Sequence, residues 1–172
     1  MGRALKQRGF LLILSLLIVL LLFVLGLSFL GKRATQYQRV GAALQAAQSR
    51  ALALAGMEDV LAKIERDLSF PPLGTDQQFM SYTEEVTDGG KRIGAYTVTL
   101  DGRYRQAPYL LLIVTSVGES GETAGSAETR RSFRAEIDLS TNERYDIGGD
   151  GDFDDPNPFY RKVINFNDLG GF

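Results

Sequence analysis

"RGFLLILSLLIVLLLFVLGLSFLGKR", residues 8–33, is the stretch whose reading decides the fold. Between Gly9 and Gly31 lie 21 residues, Phe10 to Leu30, without a charge. As an α-helix rising ~1.5 Å per residue they reach roughly 31 Å, close to the thickness of a hydrocarbon core of about 30 Å. Eighteen of the 21 are Leu, Ile, Val or Phe. Each favours insertion by about 0.3–0.6 kcal/mol at the helix centre, a sum that Ser15, Gly26 and Ser28 do not cancel. A secretory signal has a shorter apolar region, about 7–15 residues, closed by small residues at a cleavage site. This run is longer and passes into Gly31-Lys32-Arg33. A buried core helix is the competing reading, but a helix with no polar face over this length favours a membrane span.

Basic residues near the two ends nearly balance: Arg3, Lys6 and Arg8 before the span, Lys32, Arg33 and Arg39 after it. The N-terminal amine tips the positive-inside comparison slightly, and the leader is expected to face the cytoplasm. The chain of 172 residues then leaves one domain with a modest core outside the lipid. There is no Cys, so a disulfide framework and a thiolate metal site are excluded. There is no His either, which removes the commonest general base and metal ligand. With no nucleophile placed beside a base, an enzyme is not expected. The net charge is −2, but the first acidic residue is Glu58. Without residues 1–9, sixteen basic residues face 21 acidic ones, a charge of −5. That balance argues against nucleic-acid binding.

From Lys32 to Leu68 there is no Pro, and Ala, Leu, Gln, Arg and Glu dominate. Val40, Leu44, Ala47, Ala51 and Leu54, followed by Met57, Leu61, Ile64 and Leu68, step by three and four. That spacing predicts one apolar stripe on an amphipathic helix continuing the span. Asp59 and Lys63 stand at i,i+4 in the favoured order. Pro71-Pro72 end the helix. Gly31, Gly41 and Gly56 are places for a bend or a close approach. Further on, "RIGAYTVTLD" (92–101) alternates with Tyr96, Val98 and Leu100 on one face. "YLLLIVTSV" (109–117) is apolar on both faces and suits a central strand. "RSFRAEIDL" (131–139) turns Phe133, Ala135, Ile137 and Leu139 inward. These strands predict an antiparallel meander whose inner face covers the helical stripe. The fold class is therefore α+β: a long N-terminal helix, transmembrane then amphipathic, packed on a small antiparallel sheet. The expected organisation is a basic leader at 1–9, a transmembrane half at 10–30, an amphipathic half at 31–70 and a sheet domain with an Asp-rich C-terminal segment at 71–172.

A short basic leader ending in Gly9, then Phe10, an apolar span, an unbroken amphipathic helix and an antiparallel sheet: this order resembles the type IV pilin superfamily. "RGFLLILSLLIVLLLFVLGLSFL", "LQAAQSRALALAGMEDVLAKIERDL" and "LLLIVTSVGESGE…ETRRSFRAEIDL" are most similar to PilX-type minor pilins, with the GspK-like pseudopilin second. The similarity is good over residues 1–68 and weaker over 93–139. It implies cleavage by a prepilin peptidase between Gly9 and Phe10 and methylation of the new N-terminus. It implies partners in the membrane and in other pilin or pseudopilin subunits, met through the N-terminal helix. It also implies a single-pass inner-membrane protein with an extracytoplasmic C-terminal domain, extractable into a filament. The chain departs from the family at the fifth mature position, where most members carry Glu and this one carries Leu14. A carboxylate in lipid needs a partner, and Leu14 cannot neutralise a neighbour's amine. The departure is shared with PilX-type and GspK-like subunits, which implies priming or capping rather than repeating along the shaft.

In "GGDGDFDDPNP" (148–158), Asp150, Asp152, Asp154 and Asp155 are interleaved with Gly and suit a hard cation such as Ca²⁺. An EF-hand is excluded, because Asp155 and Arg161 occupy its Gly and Glu positions. An irregular calcium loop and a solvated Asp/Gly turn before Pro156 and Pro158 both remain open. Phe153, Phe159, Tyr160 and Phe166 are expected to pin the terminal segment to the sheet. The alternative to a filament subunit is an uncleaved, membrane-tethered extracytoplasmic binding or sensor domain.

Overall fold

The computed structural model describes residues 3–67, 69–72, 77–121, 129–144, 149 and 151–171, with side chains from residue 10 onward. A single helix, α1, runs Arg3–Arg66, followed by β1 (Phe79–Asp88), β2 (Lys91–Asp101), β3 (Leu111–Ser120), β4 (Thr129–Asp138) and β5 (Val163–Gly171). The chain forms two bodies, Met1–Ala43 and Leu44–Phe172.

In the first body the helix carries the uncharged run. Its eighteen apolar side chains between Phe10 and Leu30 are 43–68% exposed on every side. The most apolar stretch has a mean hydropathy of 3.3 and is long enough to cross a membrane.

The second body is an antiparallel five-stranded sheet in the order β1-β2-β3-β4-β5, each strand paired with its chain neighbour. The three expected strands are β2, β3 and β4, and β3 is central. The sheet has two strands more than the sequence pattern indicated. Cross-strand rows build the inner face: Leu100, Val114 and Ala135 align, as do Val98, Ser116 and Phe133. The helix from Leu44 to Arg66 covers this face, burying Leu52, Ala53, Met57, Val60 and Ile64 against Tyr96, Val98, Leu100, Leu112, Phe133 and Ile137. Fully burying one such large apolar side chain is worth about 1.5–3 kcal/mol.

The buried face of α1 is rotated from the expected stripe. Met57 and Ile64 are in the core as expected, and Leu61 is packed at its edge. Leu44 and Leu54 point outward, as do Ala47 and Ala51, and Val40 is exposed as well. Leu68 lies outside the described residues. The reason is that small groups let the helix sit close to the sheet. Buried Ser49, Ala53 and Gly56 form the contact. A Cβ on Gly56 would collide with Ser116 Oγ and stand 2.9 Å from Tyr96 Cδ2. One on Gly118 of β3 would strike the carbonyl of Ser49 and the amide of Ala53. Close approach at Gly56 was expected; around Gly31 and Gly41 there is nothing within 4 Å.

The helix ends by local and long-range capping. Asp67 accepts from the Ser69 amide at 2.8 Å and its hydroxyl at 2.7 Å. Arg161 Nη1, from the far end of the chain, donates to the Ile64 carbonyl at 2.7 Å. That carbonyl is in the last turn, where acceptors lack intrahelical partners and a cation complements the helix dipole.

Candidate functional site

The residues singled out at the N-terminus lie on one helix. Gly9 and Phe10 are within α1, and Phe10 and Leu14 are exposed. The described carboxylates singled out near the C-terminus, Asp152, Asp154 and Asp155, are not assembled into a metal-ligand group. Asp152, Asp154 and Asp155 are exposed, and Asp150 lies outside the described residues. Among the described residues no three acidic side chains are brought together as metal ligands. Of the expected core aromatics, Phe166 stacks on Phe133 with centroids 5.3 Å apart but stays 47% exposed, and Phe153, Phe159 and Tyr160 are exposed as well.

Sequence patterning did not find the main polar centre, which is Asp138 at the end of β4. The residue is 2% exposed. Arg144 grips its carboxylate with two donors, Nε to Oδ2 at 2.9 Å and Nη2 to Oδ1 at 2.9 Å. The Ser140 amide and hydroxyl donate to Oδ1 at 2.9 and 2.7 Å. Asn157 Nδ2 donates to Oδ2 at 3.1 Å and also reaches the Ser140 carbonyl at 2.9 Å. Burial works against the charge, but these donors outweigh it and hold the Asp138 carboxyl down at about 2. Arg144 goes on to the carbonyls of Tyr109 and Leu110, at 2.5 and 3.1 Å. The backbone of Asp138 adds two bonds, accepting from the Arg161 amide at 2.6 Å and donating to the Lys162 carbonyl at 3.1 Å. One residue therefore ties the β2–β3 connection, the segment after β4 and the start of β5.

A second polar cluster fastens β1 and β2 to the helix. Lys63 Nζ donates to Asp59 at 2.6 Å and to Glu84 at 3.0 Å, and lies 3.9 Å from the Tyr82 ring centroid. The Tyr82 hydroxyl donates to Asp59 at 2.7 Å and the Tyr96 hydroxyl to Glu84 at 2.8 Å. Partial burial disfavours the Lys63 charge, yet these bonds raise its pKa overall. Burial and the bonds to carboxylates raise both phenols as well. The Asp59–Lys63 pair is the one the spacing predicts. All these groups satisfy one another, which is the chemistry of a clamp.

No protein-family model, curated protein or solved structure matches the chain. The fold and the two clamps therefore define a class by themselves: an α+β domain built on the distal part of a helix whose first part is long and apolar enough to cross a membrane.

Proposed function

We propose that the chain is a minor pilin or pseudopilin subunit, processed by a prepilin peptidase between Gly9 and Phe10. It acts in priming or capping a type IV pilus or type II secretion pseudopilus. One observation carries the reading: an uncharged helical run beginning at Phe10 belongs to the same helix whose distal part is buried on an antiparallel sheet. A simple anchor needs the first part but not the second. In lipid, helices associate through van der Waals packing and small side chains rather than a hydrophobic driving force. Phe10 to Leu30 offers the packing surface, with Ser15, Gly26 and Ser28 as its small residues. Leu14 offers no carboxylate to a neighbour's N-terminal amine, which suits a subunit placed once rather than repeated.

The test is the N-terminus of the membrane-extracted protein, measured by intact mass and terminal peptide, with and without an active prepilin peptidase. A peptidase-dependent chain beginning at Phe10 and carrying one extra methyl group is the expected result. An unprocessed chain in the presence of a matching peptidase overturns it and leaves a tethered extracytoplasmic domain.

A further inference from the structure

The two edges of the sheet are built differently. β1 carries Glu84, Glu85 and Asp88, a register shift at Val86/Thr87, and ion pairs from Lys63 and Arg92. Charges of this kind keep an edge from recruiting another strand. β5 carries one acid, Asp168, already held by Arg131 at 2.5 Å, and has neither Pro nor Lys. Its pairing with β4 shifts register twice, yet Asn165 to Asp168 stay in unbroken register. Val163, Ile164, Phe166 and Leu169 are 36–56% exposed. Among the described residues no strand pairs with the outer side of β5.

Beside that edge the core is open. A groove of about 220 Å³ lies between α1 and β5, with Leu54 and Leu61 on one wall and Val163 and Phe166 on the other. Glu58 is its only charged lining residue, and it makes no ion pair among the described residues. An open main-chain edge accepts an extended backbone, and a groove under it accepts side chains on alternate residues. We propose that β5 and this groove bind an extended segment of a different protein as a sixth strand. Apolar side chains at alternate positions enter the groove, and a Lys or Arg of the segment meets Glu58.

A second copy of the chain does not fit the site. The two-fold pairing that joins two β5 edges with their inner faces aligned reverses the second copy. The strand it then lays on the site is VINFNDLGG, which holds no Lys or Arg to meet Glu58. The proposal stands apart from the filament reading and survives its failure.

The test uses the full chain in phosphatidylcholine nanodiscs and a fluorescein-labelled peptide, Lys-Val-Thr-Val-Thr-Phe-Thr, followed by anisotropy. A shuffled peptide and two peptides N-methylated on alternate residues are the comparisons. The alternating peptide is expected to bind, with the shuffled peptide and one of the two methylated forms at least about tenfold weaker. Leu54→Lys, on the outer wall of the groove, is expected to weaken binding by a similar factor while near-ultraviolet circular dichroism remains that of the parent. Glu58→Lys is expected to weaken it and to be rescued by a peptide with Glu in place of Lys. Equal binding of all four peptides overturns the proposal, as does no binding up to about 1 mM. Sedimentation showing paired chains that separate on Phe166→Lys overturns it in favour of a second copy.

Discussion

Gly118→Ala tests the close seating of α1 on the sheet. The new Cβ would meet the Ser49 carbonyl and the Ala53 amide and stand 3.0 Å from Ala53 Cα. All three are main-chain atoms, so no rotamer change relieves the contact and the helix must lift. Gly118 is not among the glycines with positive φ, so Ala is acceptable to the strand itself. Replacing Gly there returns roughly 0.5–1 kcal/mol of backbone entropy. Against this, overpacking costs about 1–3 kcal/mol. Lifting the helix also thins the contacts of Leu52, Val60 and Ile64, each worth about 1.5–3 kcal/mol when fully buried. The net expectation is a loss of about 2–3 kcal/mol, or roughly 6–15 °C in Tm for a body of this size. Two comparisons sharpen it. Gly56→Ala meets only side chains, Ser116, Tyr96 and Val98, and gains about 1 kcal/mol of helix propensity, so its loss is about 0–2 kcal/mol. Gly41→Ala meets nothing within 4 Å and is neutral or stabilising. The assay is thermal melting followed by tyrosine near-ultraviolet circular dichroism, which reports on buried Tyr96. A Gly118→Ala protein melting within about 1 °C of the parent, or above Gly56→Ala, refutes the seating and the energetics built on it.

Asp138→Asn is expected to cost about 2–4 kcal/mol, because it leaves Arg144 with a weaker partner in a buried site. Equilibrium denaturation near neutral pH measures it. The Asp138 carboxyl is lowered from 3.8 to about 2 on folding, so the unfolded chain takes up the proton first. The group therefore adds about 2 kcal/mol that is fully present above pH ~5 and is lost as pH falls towards about 2. Subtracting the pH–stability profile of Asp138→Asn from that of the parent should leave that slope alone; a flat difference contradicts the assignment. Tyr82→Phe removes the hydroxyl bonded to Asp59 and is expected to cost about 1 kcal/mol, read from the denaturant midpoint. In the run Phe10 to Leu30, Leu20→Asp costs about 3–4 kcal/mol against a summed insertion preference of roughly 5–11, so this variant is expected to stay in alkaline-extracted membranes. The pair Leu16→Asp and Leu20→Asp is expected to release a large share of it, and full retention would argue that the run is held by something other than lipid.

The legibility of the fold in the sequence follows burial. β2 and β4 were readable because one face of each is covered by α1, so apolar residues recur at every second position, and β3 because its start is a continuous apolar run. β5 was not, since its face lies beyond the helix and "VINFNDLGG" has no alternation to detect. β1 was hidden for another reason: Glu84 occupies a position that alternates with Met80, Tyr82 and Val86, and serves the clamp with Lys63 and Tyr96. The helix was evident, but its working face was not. Large residues mark a stripe only when the contact is built from large residues, and here Ser49, Ala53 and Gly56 make it. Asp138 reads as the polar end of a strand. Its partners Arg144 and Asn157 are distant enough that only the folded chain assembles them.

The Asp138 centre has a consequence for how the chain tolerates change. Because its backbone meets Arg161 and Lys162, β4 and β5 are closed on each other almost as a hairpin, whatever lies between. Everything from Leu139 to Tyr160 is in effect a cassette plugged into that closed joint. Its carboxylate latches the cassette at Ser140, Arg144 and Asn157. Lengthening a closed loop costs little, about 0.6 kcal/mol per doubling. New sequence can therefore be tried inside the cassette while the latch and the sheet stay as they are.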